Sequence, residues 1–197
     1  MKFSFRAMFL LVNFFIFSLQ VFSQQGAPLD GISFAKKILG KPIVSLADSL
    51  ECLEGGNAGK LIPVTAKCIT FRYDQPGKQN LGIGKVIFKM VFVSKDSLNI
   101  IDHITFMKTY SEKIETGTYK KTFRSEYSLV LEYLQELCQS KGKKDRFFEN
   151  DFTRQENTKW LLDGFILILT KDTIKKRPGV SEFFVTSITM MKSTSIL

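Results

Sequence analysis

Few residues in this chain have the types and spacing that catalysis or metal binding requires. His103 is the only histidine, and the three cysteines, Cys52, Cys68 and Cys138, form no C-x-x-C pair. A zinc site needs three or four converging ligands, and a catalytic thiol must be exposed and activated by a neighbouring base. The sequence therefore favours neither a metal site nor a Cys138–His103 dyad, and we expect no catalytic residue and no cofactor.

Carboxylates offer a second kind of chemistry, because glycosidases work with only two acidic side chains. Asp102 falls on the otherwise apolar face of a predicted strand, whereas Glu149 and Asp151 lie among lysines and arginines. Salt bridges in a solvated loop are the ordinary explanation for such acids, since ion-pair networks also place carboxylates beside cations. A small hydrolase that uses these dispersed carboxylates is kept as an alternative function.

Basic residues are the third candidate group, since the chain has a formal net charge of +9. Such a charge favours contact with anionic surfaces, although a solvated basic surface that keeps a protein soluble has the same composition. The possible contacts for an anionic partner form two clusters: Lys143, Lys144 and Arg146, and Lys175, Lys176 and Arg177. Phe147, Phe148 and Trp160 lie near the first cluster, where they could act as a stacking platform.

Residues 1–23 have the organisation of a cleavable signal peptide. Lys2 and Arg6 form a positive n-region, and residues 7–17 form an apolar h-region. Val21 and Ser23 are small enough to precede a cleavage site, so we predict cleavage after Ser23. The predicted destination is the periplasm or the extracellular space, and export argues against nucleic acid as the partner.

An uncleaved membrane anchor is the competing interpretation of this N-terminal segment. A spanning helix needs roughly 20 consecutive apolar residues, and this run is shorter and contains Asn13 and Gln20. A bacterial lipoprotein needs a cysteine at the cleavage site, and the first cysteine is Cys52. We therefore predict cleavage without lipid anchoring, and no transmembrane segment in the remaining chain.

Export also changes the reading of the cysteines, because an oxidising compartment permits disulfides. Cys52 and Cys68 are the candidate pair, and the odd count leaves one thiol without a partner. Cys138 falls on the apolar side of the best predicted helix, where a free cysteine packs as a small hydrophobe.

The helices that must position these residues follow from apolar spacing with a period near 3.6. We predict a short helix over 32–39, a second over 45–53, and the longest over 126–139 with Ser125 as its N-cap. Residues 141–158 are strongly charged and predict a loop, although Phe147, Phe148 and Phe152 suggest that part of it packs.

Alternating and apolar runs predict the strands. These are 65–74, a hairpin of 85–93 with 100–110, one long strand over 158–170, and 181–192. Asp163-Gly164 would suit a tight hairpin turn, and we prefer a continuous strand because the preceding run of Trp160-Leu161-Leu162 is short.

The elements together predict an α+β fold: a mainly antiparallel sheet of about five strands with helices packed on one face. Residues 32–197 form a single domain after a flexible leader at 24–31. The leading hypothesis is an exported, non-enzymatic domain that binds an unidentified protein or anionic envelope component. Its basic loops and the sheet face opposite the helices would make contact. A carrier of a small apolar ligand, lined by Phe and Met, is the other alternative.

Overall fold

A computed structural model describes the protein over residues 28–52, 70–73 and 81–193. The predicted signal peptide and half of the predicted leader, residues 24–27, lie outside these residues. Within them are two α-helices, α1 (Gly31–Ile38) and α2 (Tyr119–Leu137), and a 3-10 helix at Ile43–Ser49. No helix in the described ranges has both the length and the apolar character needed to cross a membrane.

The same ranges contain eleven strands in two sheets. Their bounds are β1 (Leu29–Asp30), β2 (Leu50–Cys52), β3 (Thr70–Tyr73), β4 (Leu81–Ile83), β5 (Val86–Phe88), β6 (Met90–Lys95), β7 (Ile101–Ser111), β8 (Lys143–Glu149), β9 (Thr153–Leu162), β10 (Phe165–Ile174) and β11 (Phe183–Lys192).

The larger sheet has eight strands in the order β2-β3-β6-β7-β11-β10-β9-β8, and all neighbours are antiparallel. The smaller sheet has the order β1-β4-β5, in which β1 and β4 are parallel. Strands β9, β10 and β11 are each ten residues long and pair over most of their length. These three strands therefore form a continuous block of long, fully paired strands toward one end of the large sheet.

The predicted fold class is wrong, because the described chain is sheet-rich. Strands account for 51% of it and helical residues for 24%. An eight-stranded and a three-stranded sheet replace the predicted sheet of about five strands with helices on one face. The layer against the large sheet includes the small sheet, since Phe88 of β5 contacts Phe106 of β7 edge to face at 6.3 Å between ring centroids.

The predicted loop at 141–158 is the main source of this error. Most of it forms β8 and the beginning of β9, which pair as a hairpin. Strand β8 is the last strand of its sheet, and edge strands tolerate charged side chains because these prevent further pairing. A charged edge strand and a charged loop therefore look alike in sequence.

The predicted long strand at 158–170 is also wrong, because it turns back on itself. Asp163 and Gly164 have φ of +50° and +77°, which is the conformation of a type I′ hairpin turn. Leu162 pairs with Phe165 directly across this turn. The Asp-Gly signal was therefore the better guide, and the short apolar run before it belongs to a longer strand.

Three other element boundaries also differ from the sequence prediction. The run at 85–93 bends at Lys89, so that β5 and β6 belong to different sheets. Helix α2 begins at Tyr119 rather than near residue 126, and Ser125 is therefore inside it. In place of the second predicted helix, the structure has the 3-10 helix followed by β2. The first helix and the last strand lie close to their predicted positions.

The hydrophobic core lies between the large sheet and the layer of α1, α2 and the small sheet. Val130 and Leu134 of α2 are fully buried in one cluster with Leu169 and Ile188 of the sheet. Full burial of such side chains stabilises a fold by about 1.5–3 kcal/mol each. Trp160 of β9 extends this cluster and fixes the end of α2, because its Nε1–H donates to the Ser140 carbonyl at 2.9 Å.

A polar network joins the start of α2 to the middle of the sheet. The Tyr110 hydroxyl and the Lys108 ammonium of β7 both donate to the Glu126 carboxylate at 2.8 Å. Burial, followed by the contact with Glu126, raises the pKa of the Tyr110 phenol far above its usual range. This network fixes the register of α2 on β7.

Candidate functional site

The two predicted basic clusters lie toward opposite ends of the hairpin formed by β8 and β9. Lys143 and Lys144 begin β8, where they face Lys159 and Thr158. Lys175 follows β10 and lies beside Asn150, at the turn that ends the hairpin. A strand rises about 3.3 Å per residue, so the length of β8 separates the two clusters by roughly 20 Å. They are not one patch.

The turn between β8 and β9 is held by its own side chains. Asn150 Oδ1 accepts hydrogen bonds from the backbone N–H groups of Phe152 at 2.8 Å and Thr153 at 2.7 Å. Asparagine favours such local bonds, which mimic a backbone turn. The turn therefore has a defined shape that presents the Phe152 side chain outward.

The second basic cluster is bonded directly to this turn. The Lys175 N–H donates to the Phe152 carbonyl at 2.9 Å, and its ammonium donates to Glu149 Oε1 and the Asn150 carbonyl, both at 2.8 Å. The hydrogen bond from Lys175 lowers the pKa of Glu149. Lys175 therefore positions the turn, while Lys176 and Arg177 beside it are exposed.

Three phenylalanines of the hairpin are the most unusual feature of this region. Phe147, Phe148 and Phe152 are between 51% and 61% exposed, so the part of the segment that packs is the half-buried run of β9 at 155–158 rather than these three rings. The guanidinium of Arg154 lies 5.1 Å from the centroid of the Phe147 ring, and that of Arg177 lies 4.9 Å from that of Phe152. Such cation–π contacts hold a cation close to an exposed apolar ring.

A cleft of about 570 Å³ separates this hairpin from α2. Its walls include Tyr127 and Leu131 of the helix and Lys144, Phe147 and Arg154 of the hairpin. Burial raises the pKa of the Tyr127 phenol, and the charge of a neighbouring glutamate raises it further. Asp145 and Glu156 also line the cleft, so it continues the aromatic surface of the hairpin toward the helix without an excess of positive charge.

We name this region the aromatic hairpin, which comprises β8, the turn at residues 150–152, β9 and the adjoining residues 175–177. Lys143, Lys144, Lys176 and Arg177 have no carboxylate partner among the described residues. The side chain of Arg146 lies outside the described part of the structure. Of the predicted stacking platform, Phe147 and Phe148 are exposed in this region, whereas Trp160 is buried in the core. The strand that displays the two exposed rings was not predicted.

The candidate carboxylates are not brought together. Glu149 and Asp151 are exposed at the turn of the aromatic hairpin, whereas Asp102 begins β7, four strands away in the sheet. Neighbouring strands are about 4.8 Å apart, which separates Asp102 from the other two by roughly 19 Å across the sheet alone. They also lie toward opposite ends of the strands, since Glu149 pairs with Arg154 whereas the cross-strand row of His103 reaches Leu161. Instead, Asp102 Oδ2 lies 3.3 Å from Nδ1 of His103. The described residues contain no group of three or more side chains suited to holding a metal ion.

Of the three cysteines, only Cys138 has a side chain within the described part of the structure. Cys138 follows the end of α2 and packs against the core in a half-buried position, and burial raises the pKa of its thiol. A raised thiol pKa disfavours the thiolate, which is the reactive form. Cys52 belongs to β2, but its side chain and all of Cys68 lie outside the described residues, so the predicted disulfide stays a prediction.

The sheet face opposite the core was the other expected contact surface. At its centre the hydroxyls of Thr105 and Thr189 lie 2.9 Å apart, beside half-buried His103, Met107 and Met191. These side chains are mixed in polarity. The same cross-strand row continues to Arg72 and Lys159, which have no carboxylate partner among the described residues. The hairpin is therefore distinguished from this face by its exposed phenylalanine rings rather than by its charge.

Comparison of the chain with protein-family models, curated proteins and solved structures finds no match. The fold and the functional site therefore rest on the residues and geometry described above.

Proposed function

We propose that this protein is an exported, non-enzymatic domain that binds an anionic phospholipid surface of the cell envelope through the aromatic hairpin. One observation carries the proposal: Phe147 and Phe148, on opposite faces of β8, and Phe152 at the turn are all exposed on a single hairpin. Lys143, Lys144, Lys176 and Arg177 of this region have no carboxylate partner among the described residues, whereas Arg154 and Lys175 are paired with Glu156 and Glu149. Apolar side chains that are exposed singly need no explanation, whereas a group of them indicates an interaction site.

Phospholipid is the partner that uses both parts of this surface. Phenylalanines insert at the boundary between head groups and acyl chains, while lysine and arginine remain at the anionic head groups. Each cation near an anionic membrane contributes about 1 kcal/mol, and each fully buried phenylalanine about 1.5–3 kcal/mol. Arg154 and Arg177 already lie beside two of the rings, so inserting a ring brings its cation to the head groups.

The test is co-sedimentation of the chain without its predicted signal peptide, residues 24–197, with vesicles. We expect binding to vesicles that contain phosphatidylglycerol and little binding to pure phosphatidylcholine. Replacing the three rings (Phe147→Ser, Phe148→Ser and Phe152→Ser) or two cations (Lys176→Glu and Arg177→Glu) reduces the partition coefficient about tenfold or more, because 1.4 kcal/mol corresponds to a factor of ten.

Matched controls lie elsewhere on the surface. Leu98→Ser with Val44→Ser removes exposed apolar side chains, and Lys37→Glu with Lys41→Glu reverses two exposed cations. Both control variants should bind like the unchanged chain. Equal binding by the hairpin variants and the controls would refute the phospholipid proposal, as would binding that ignores phosphatidylglycerol. Capture of an acidic protein without any vesicle binding would favour the protein partner that the sequence left open.

A further inference from the structure

A second cleft opens where β5 and β7 diverge, at a distance from the aromatic hairpin. Strand β6 pairs with β7 only as far as Met90 opposite Met107, whereas β7 continues to Ser111. The chain before Met90 turns away into β5, which pairs with β4. Among the described residues no strand pairs with the free side of β7 beyond Met107, and a cleft of about 670 Å³ fills this space.

One wall of this cleft is apolar. Met90 and Met107 are half-buried side by side, and Ile87 and Ile114 are 37% and 62% exposed at its rim. Methionine is flexible and polarizable, and it adapts to irregular apolar ligands. The volume lies within the range of roughly 300–1,000 Å³ that is typical of small-molecule sites.

The rim of the cleft carries cations on both sides of β5. Lys85 precedes this strand and Lys89 follows it; both are exposed and neither has a carboxylate partner among the described residues. Lys108 also lines the cleft, but its ammonium is bonded to the Glu126 carboxylate. Glu115 is the other acid of the lining, so the free charge at the rim is positive.

We propose that this cleft binds a single-chain anionic amphiphile. The apolar chain lies on the wall of Met90, Met107 and Ile114, and the head group is held by Lys85 and Lys89. The two rim lysines select an anionic head group, because a cationic one would meet unpaired like charges. None of these residues belongs to the aromatic hairpin, so the site acts independently of the proposed membrane contact.

The test is calorimetric titration of the full-length chain with dodecanoate below its micelle concentration. Dodecanol and dodecyltrimethylammonium, which carry the same chain without the negative charge, are the comparison ligands. We expect one dodecanoate per chain, bound about tenfold or more tightly than either comparison ligand, since a loss of 1.4 kcal/mol is tenfold in affinity. Equal binding of all three ligands would overturn the proposal.

Variants then separate the two parts of the cleft. Lys85→Glu with Lys89→Glu should weaken dodecanoate about tenfold and leave dodecanol unchanged, because only the charged head group is affected. Ile114→Ser should weaken both ligands by a similar factor. It lies on an exposed segment where substitutions have small effects on folding.

The matched controls are Lys37→Glu with Lys41→Glu for charge, and Leu98→Ser for apolar surface. All three positions are exposed and lie outside the lining of the cleft. Unchanged dodecanoate affinity in the Lys85→Glu, Lys89→Glu variant, or an equal loss in the charge control, would contradict the assignment of the head-group site. The serine substitutions in the aromatic hairpin should leave this titration unchanged, which distinguishes the two proposals.

Discussion

The protein has two groups of aromatic side chains with opposite surroundings. In the first, Phe123 of α2 stacks on Phe184 at 4.6 Å and meets Tyr110 edge to face at 5.3 Å. In the second, the rings of Phe147 and Phe152 face arginine and solvent. An aromatic residue therefore stabilises this fold only where other elements cover it, whatever the local sequence.

Position in the sheet accounts for the contrast. Phe184 belongs to β11, which has a partner on both sides and lies under α2, whereas β8 is an edge strand with a partner on one side. Edge strands that expose apolar side chains are places where other surfaces dock. The core cluster and the aromatic hairpin should therefore respond differently to the same substitution.

The largest expected effect is on stability in the core cluster. Phe123→Ala should reduce the free energy of unfolding by about 3–5 kcal/mol, because it leaves a cavity in the place of a buried ring. The same truncation at Phe147 should change it by about 0.5 kcal/mol or less, as for other exposed positions. Urea denaturation of both variants at constant m-value measures the difference. Equal losses would show that the hairpin ring is part of the core.

The next effect tests the polar network beneath the core cluster. Tyr110→Phe should cost about 1.5–3 kcal/mol, because it removes a hydrogen bond to the Glu126 carboxylate. Tyr133→Phe is the control, since the Tyr133 hydroxyl has no hydrogen-bond partner among the described residues. The two free energies of unfolding at the same pH give the comparison. A loss at Tyr110 no larger than the loss at Tyr133 would contradict the role of this bond.

The smallest expected effects are on the pH dependence of the free energy of unfolding. They concern two carboxylates, Asp172 and Glu149, and have opposite signs. Partial burial raises the pKa of Asp172, although a hydrogen bond from Gln155 opposes this. The folded state then holds its proton more tightly, so Asp172 reduces stability as the pH rises from its unfolded pKa through its folded pKa. Asp172→Asn should therefore be more stable than the unchanged chain at neutral pH, and this gain should vanish at acidic pH.

Substitution of Glu149 in the aromatic hairpin should change the free energy of unfolding in the opposite direction at neutral pH. Its pKa is lowered by Lys175, so its stabilising contribution is present above the unfolded pKa and is lost as the pH falls through the folded pKa. Glu149→Gln should be less stable at neutral pH, and the deficit should disappear in acid and shrink at high salt. Denaturation of both variants at several pH values checks these slopes. The same sign for Asp172→Asn and Glu149→Gln would refute the contrast.

Sequence patterning predicted the parts of the fold whose surroundings are simple. Helix α1, strand β7 and strand β11 have one buried face and a clear period, so apolar spacing located them. The extent of α2 was missed because its first turns are rich in lysine and are stabilised by contacts such as Phe123 with Phe184. Those contacts come from residues about sixty positions later in the chain.

The sequence predicted the cations of the candidate site but not the strand that displays its phenylalanines. The reason is again a contact with a distant part of the chain. Charge located Lys143, Lys144 and residues 175–177, but strand pairing decided that β8 would display the phenylalanines. Pairing of an edge strand depends on its neighbour, and neither period nor charge within 143–149 records that neighbour. The bend at Lys89, which opens the second cleft, likewise follows from the pairing of β5 with β4.

The most direct test of the central claim places a reporter within the aromatic hairpin. Trp160 is the single tryptophan and is buried in the core, so its emission should stay constant. In a Phe152→Trp variant the account predicts a blue shift when phosphatidylglycerol vesicles are added and none with phosphatidylcholine. A Leu98→Trp control, at an exposed position outside the aromatic hairpin, should show no shift with either kind of vesicle. Co-sedimentation with phosphatidylglycerol vesicles without any shift at position 152 would contradict contact through the aromatic hairpin.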